Sequence, residues 1–116
     1  MYSKTILIGR LTADPERKTT PQGTTLCNFR IAVERAYKGG DGNRKVDFIN
    51  CVAWRNTGDF VAQHFHKGKA IGVEGTIETR EFTDKEGVKR NTFEINVERP
   101  FFVGDSKKSD SQGSGE

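Results

Sequence analysis

The ten residues Val46-Asp47-Phe48-Ile49-Asn50-Cys51-Val52-Ala53-Trp54-Arg55 decide how this chain is read, because they put its single tryptophan in step with Phe48. Side chains of a strand alternate between faces, so Phe48, Asn50, Val52 and Trp54 share one surface while Ile49, Cys51 and Ala53 share the other. The second set is small and apolar and reads as core. The first set mixes aromatic rings with Asn50 and runs into Arg55, which suits a surface that meets flat, negatively charged ligands. Aromatic platforms beside cations on strands are what sequence-tolerant nucleic-acid binding needs, since every base has a π-face and every nucleotide a phosphate. A sandwich strand with both faces buried fits these ten residues equally well, so the flanking sequence has to separate the two.

Upstream, Cys27, Phe29, Ile31 and Val33 alternate with Asn28, Arg30 and Glu34, the pattern of a strand with one buried and one wet face. Arg35-Ala36-Tyr37 leads from it into a Gly-rich connection, Lys38 to Arg44, that lets the next strand return antiparallel. Earlier still, Ile6-Leu7-Ile8-Gly9-Arg10-Leu11 is a first strand that Asp14-Pro15 ends, because proline cannot donate to a ladder. Thr20-Pro21-Gln22-Gly23 is a turn.

Downstream of Arg55 the period changes. Phe60, Val61, His64 and Phe65 recur at helical spacing, with Asn56, Thr57 or Asp59 as caps and Lys67-Gly68 as the close. Ile71, Val73, Gly75 and Ile77 then define the inner face of a fourth strand that runs to Phe82. After a turn at Thr83 to Gly87, a fifth strand puts Phe93, Ile95 and Val97 inward. Five strands with one short helix between strands three and four is the order of an all-β OB-fold, a Greek-key barrel that commonly binds oligonucleotides or oligosaccharides.

The bulk numbers fit one such domain. A chain of 116 residues holds a single core, and 33% apolar with 30% charged residues suits a small β-rich barrel with polar loops, part of whose apolar surface another subunit completes. The net charge of +3 permits a polyanionic partner. Residues Asp105 to Glu116 hold two lysines against three acids, so the excess positive charge belongs to the rest. The expected organisation is an OB-fold domain over residues 1–104 and a disordered polar tail over 105–116. No run is long and apolar enough to span a membrane and no signal-peptide core follows Met1, so a cytoplasmic location is expected.

Catalysis and cofactors find little support. Cys27 and Cys51 stand far apart on apolar strand positions and read as buried free thiols. His64 and His66, two apart on a helix, do not face the same way and form no metal pair. Glu74, Glu78, Glu94 and Glu98 are spread along outer strand faces without a ligand-like grouping. No catalytic residue, metal or cofactor is assigned. The competing reading is an OB module that makes protein contacts and binds no nucleic acid.

Several motifs together are more specific than the fold. Ile6 to Leu11 with Asp14-Pro15-Glu16, Thr20 to Gly23, Asp47 to Arg55, Lys67-Gly68, Val73-Glu74-Gly75 and Thr79-Arg80 closely resemble the bacterial-type single-stranded DNA-binding protein family, including its phage and plasmid versions. The resemblance covers Met1 to about Val103. It implies a non-catalytic protein, usually a homotetramer, that coats single-stranded DNA during replication, recombination and repair in a bacterial or phage-infected cell. It further implies that bases stack on Tyr37, Phe48, Trp54 and Phe82, and that Arg80 and Lys67 contact phosphates. Glu81 and Asn56 stand where the family often has lysine, a departure that implies either weaker electrostatics or compensation by Arg35, Arg44, Arg55, Lys89 or Arg90. The family's acidic, hydrophobic tail tip, which recruits replication and repair proteins, has no counterpart between Asp105 and Glu116, where there is no aromatic or aliphatic side chain; the sequence is either a C-terminally truncated form or a version without the tip, and as given it is expected to fail to recruit those partners.

Overall fold

The computed structural model describes residues 1–104; the polar tail expected over 105–116 lies outside the described residues. Its strands are β1 (Thr5–Leu11), β2 (Glu16–Thr19), β3 (Thr25–Lys38), β4 (Arg44–Trp54), β5 (Ala70–Thr83) and β6 (Lys89–Phe101), with one helix, α1 (Arg55–His64), between β4 and β5. The order across the sheet is β1-β5-β6-β4-β3-β2, and a further β1–β3 pairing at Arg10–Ala32 and Leu11–Ile31 closes β1, β5, β6, β4 and β3 into a barrel. This is the OB-fold, with a parallel β4–β6 contact at Cys51–Ile95 and Val52–Asn96 as its one non-antiparallel junction.

The strand count differs from the expected five. Beyond Pro15, Glu16 to Thr19 pair with Asn28 to Thr25 and so continue along the edge of β3 that β1 has left. All four residues are exposed and none is apolar, so β2 carries no alternation for a sequence to show. The helix consequently falls between the fourth and fifth strands by this count, in the place along the chain where it was expected.

Alternation placed the core correctly where a third strand covers the inner face. Cys27, Ile31, Ile71, Val73 and Ile95 are fully buried, and α1 seals the barrel with Val61 while Phe65, just after it, is buried too. Ile77 and Phe93, expected inward, are instead 49% and 45% exposed. The reason is geometric: β1 covers β5 only as far as Thr5–Gly75 and β6 meets β4 only at Ile95 and Asn96, whereas β5 and β6 stay paired out to Thr83–Lys89. Past that level the hairpin is a two-stranded arm with no third strand to bury its inner side. Conversely Val52, of outward parity, is buried, because it sits in mid-sheet between Asn28 and Asn96.

The helix starts without the expected caps. Trp54 occupies the N-cap in extended conformation with no side-chain cap bond, and Arg55 follows at φ +55°, the left-handed region. Asp59 is used elsewhere, accepting from Arg17 Nη2 at 2.8 Å and so tying α1 to β2. At the far end Phe65 N–H donates to Val61 O, and Gly68, at φ +86°, makes the turn into β5 while its N–H donates to Leu11 O.

Three ion pairs set an expected acid response. Asp47, Glu74 and Asp84 have carboxyls held below their ordinary values of 3.8, 4.5 and 3.8, chiefly by side-chain hydrogen bonds from Arg35, Arg99 and Arg90. A carboxyl depressed in the folded state lends stability that is complete above its unfolded value and is lost as pH falls through the folded one. The melting temperature should therefore be flat from neutrality to about pH 5 and decline progressively below that. Asp47→Asn should shallow this decline, and a melting temperature equally acid-sensitive in that variant would show that the Arg35 pair contributes nothing.

Candidate nucleic-acid interface

The outward face of the barrel sheet brings together residues far apart in sequence. Arg30 on β3 lies opposite Asn50 on β4, Asn28 lies opposite Val52, and Leu26 lies opposite Trp54. On β6 and β5 the same face carries Glu94 opposite Glu78. A cavity of about 540 Å³ opens on this face, with Trp54 and Arg80 in its wall together with Asn28, Arg30, Asn50 and Glu94.

Trp54 and Phe48 are exposed, as a platform must be. Phe48 stands outside the cavity wall but is linked to it by Arg30, whose guanidinium carbon is 5.1 Å from the Phe48 ring centroid. Arg80 reaches the cavity with Nη2 3.6 Å from Glu94 Oε1. Arg55 follows Trp54 directly, and its left-handed backbone re-aims the chain at that corner. Lys67 is tied to the rim through its backbone N–H, which donates to Asp14 Oδ1 at 2.8 Å. Among the described residues neither Arg55 nor Lys67 has a side-chain ion-pair partner.

Tyr37, Arg35 and Arg44 form a second group at the end of the β3–β4 hairpin, where the register shifts between Glu34 and Lys38. Arg35 donates from Nε and Nη2 to the two carboxylate oxygens of Asp47 at 2.9 and 3.0 Å, and from Nη1 to the Tyr37 hydroxyl at 3.1 Å. These bonds hold the guanidinium pKa above its usual value. Arg44 Nη1 donates to the carbonyls of Ala36 and Arg35. Phe82, exposed, lies apart on the β5–β6 arm opposite Arg90, which is itself bound to Asp84. The structure thus joins Trp54, Phe48 and Arg80 around one groove and leaves Tyr37 and Phe82 on the two hairpins that extend from the barrel.

Sequence reasoning left Arg30, Asn28 and Glu94 without a role in the site. Their outward parity was visible, but their proximity to Trp54 depends on pairing among three strands. The cysteines are free and buried, and burial pushes the Cys51 thiol up to about 12, far from reactive thiolate character. His64 packs against Phe60 and Phe102, at ring-centroid distances of 4.6 and 5.8 Å.

A closed barrel with aromatic rings and cations on its exposed sheet defines the class: an OB-fold protein with a candidate nucleic-acid-binding face. The single-strand binding protein family matches residues 2–103, and the chain belongs to that family. It is 41% identical over 113 residues to a single-stranded DNA-binding protein of Halalkalibacterium halodurans, covering 97% of this chain and 67% of that one. A protein of the same name from Oceanobacillus iheyensis is 45% identical over 87 residues, 75% of this chain and 54% of the relative. Single-stranded DNA-binding protein A of Bacillus subtilis is 37% identical over 115 residues, 99% of this chain and 66% of that one. The chain thus spans about half to two-thirds of these relatives' lengths. Among the described residues no helix is long and apolar enough to cross a membrane.

Proposed function

We propose that this protein binds and protects single-stranded DNA without strong sequence preference during replication, recombination and repair in the cytoplasm. The observation that carries this reading is the groove beside Trp54, with Phe48 and its overlying Arg30 next to it on one sheet face. Bases would stack on Trp54 and Phe48 over the sheet and on Tyr37 and Phe82 where the strand passes the two hairpins. Arg80, Lys67 and Arg55 would meet phosphates. Arg55 and Lys67 can do so without breaking an internal ion pair, whereas Arg35 and Arg44 are already engaged and would act mainly by holding Tyr37 in place.

The test is a titration with oligo(dT), oligo(rU) and duplex DNA of equal length, followed through the fluorescence of the single tryptophan. Oligo(dT) should quench or shift the emission, and affinity should fall with salt at a logarithmic slope of about −0.7 per phosphate neutralised. An unchanged spectrum at saturating oligo(dT) would refute stacking on Trp54. A flat salt dependence would refute the phosphate contacts.

The same reading includes a homotetramer. Ile6 and Ile8 expose apolar side chains on β1, and β1 pairs with β3 only at Arg10 and Leu11, so the edge before them is open to another strand. Light scattering at micromolar protein should return four times the 13.0 kDa chain mass. A monomer mass would refute it. Replication and repair proteins are the partners expected of the family; the expected lack of the tip that recruits them falls on residues 105–116, outside the described residues.

A further inference from the structure

The core face of the β3–β4 hairpin runs on past the end of the barrel. Ile31 pairs with Ile49 and Val33 with Asp47, and Val33 and Ile49 still pack against the core. The next positions of that face are Asp47 and Arg35, followed by Tyr37, so an ion pair and a phenol stand where apolar packing has run out. The register then slips: Glu34 pairs with Val46 and Lys38 with Arg44, which leaves Arg35, Ala36 and Tyr37 opposite Lys45 alone. A bulge of this kind takes backbone groups out of the ladder. Arg44 offsets the loss, its Nη1 donating to Ala36 O at 2.9 Å and to Arg35 O at 3.4 Å. Tyr37 is 64% exposed, so packing alone leaves its ring free to turn. A chain of directed bonds holds it instead: Arg35 Nε and Nη2 donate to the two Asp47 carboxylate oxygens, and the remaining guanidinium nitrogen, Nη1, donates to the Tyr37 hydroxyl.

Resting on the single-stranded DNA reading above, with Tyr37 as one of its platforms, we propose that Asp47 is a positioning residue of the interface: by clamping the Arg35 fork it presets the Tyr37 ring for a base, so that an acid strengthens the binding of a polyanion. The physical ground is preorganisation. An exposed ring that is stilled only when a base stacks on it loses its rotamer freedom at that moment, whereas a ring already held has lost it on folding. Arg35 does not achieve this alone, because a guanidinium on a flexible stem with a single bond to a hydroxyl swings together with the ring. The bidentate carboxylate fixes the plane of the fork and with it the place of the hydroxyl. Charge works in the other direction: an acid near phosphates repels them, and on Coulombic grounds its removal should tighten binding. The two effects have opposite signs, so the sign of the change on removing Asp47 separates them.

The experiment is a titration with oligo(dT) at neutral pH, followed through Trp54 fluorescence, of the full chain and its Asp47→Ala, Tyr37→Ala and doubly substituted variants, repeated over a range of salt. Asp47→Ala should bind about threefold to tenfold more weakly than the parent chain, the scale of ordering one side chain on binding. Its emission change at saturation and its salt slope should be those of the parent, because the sheet face and the phosphate contacts are untouched. In the Tyr37→Ala background there is no ring left to place, so the same substitution should no longer weaken binding and should raise affinity slightly. An Asp47→Ala affinity equal to or above that of the parent would overturn the proposal, and a steeper salt slope alongside it would show that Asp47 only keeps Arg35 from a phosphate. An equal loss in both backgrounds would overturn it as well, by showing that the ion pair supports the hairpin rather than the ring. If Tyr37→Ala binds like the parent, Tyr37 is no platform and the proposal falls while the groove beside Trp54 stands. Failure of the parent chain to bind oligo(dT) would overturn the proposal together with the reading beneath it.

Discussion

Replacing Trp54 and Phe48 together by alanine is expected to weaken oligo(dT) binding by about 2 to 6 kcal/mol, because each stacking platform contributes roughly 1 to 3 kcal/mol per base. The two side chains are 37% and 54% exposed, so removing them opens no cavity in the core and the melting temperature should move little. Within the fold, the double variant takes away the ring beneath the Arg30 guanidinium, an interaction worth about 0.5 to 1 kcal/mol at an exposed site. Affinity and stability should thus separate cleanly in the double variant. Equilibrium titration beside a thermal melt checks both. A loss of less than about tenfold in affinity would mean that the strand does not lie on this face.

Gly75→Ala is expected to have the opposite profile, with a large loss of stability and no direct contact with ligand. Gly75 is buried on β5 opposite Val97, at the point where the β5–β6 register shifts. A Cβ there would stand 2.0 Å from the Asn96 carbonyl oxygen and 3.0 Å from the Val97 Cα. Both obstacles are backbone, and the strand that carries them is held by β4 on its other side, so neither can turn away. The case differs from Gly72, whose added Cβ would meet the Phe101 ring, a half-buried side chain able to move. Overpacking commonly costs about 1 to 3 kcal/mol, and a backbone clash of this kind belongs at or above the upper figure. At roughly 4 to 8 °C per kcal/mol for a domain of this size, the melting temperature should drop by about 12 to 24 °C. Gly23→Ala is the control: its φ of +88° is unfavourable for alanine, but nothing stands within 4 Å of the new Cβ, so only the smaller conformational cost applies. Equal melting temperatures for the two variants would refute the close-approach argument.

The periodicity of the chain by itself determined most of the barrel's buried residues, the position of the helix and the common face of Phe48 and Trp54, since the two-residue period of a strand and the 3.6-residue period of a helix are local properties. Cys27, Phe29, Ile31, Ile71, Val73, Ile95 and Val97 are buried as that period requires. What only the tertiary structure decided is everything that depends on which strand ends where. Ile77 and Phe93 have core parity and are exposed, because β1 stops covering β5 at Gly75 and β4 stops covering β6 at Ile95. Glu16 to Thr19 form a strand with no apolar residue, because the β3 edge beside them was vacant. Arg35, a free cation by its sequence, is engaged by Asp47 twelve residues away across the hairpin, while Arg30 comes to rest over Phe48. Parity assigns a side chain to a face from its immediate neighbours, but its exposure and its partners are set by non-local pairing, whose register no stretch of one strand contains.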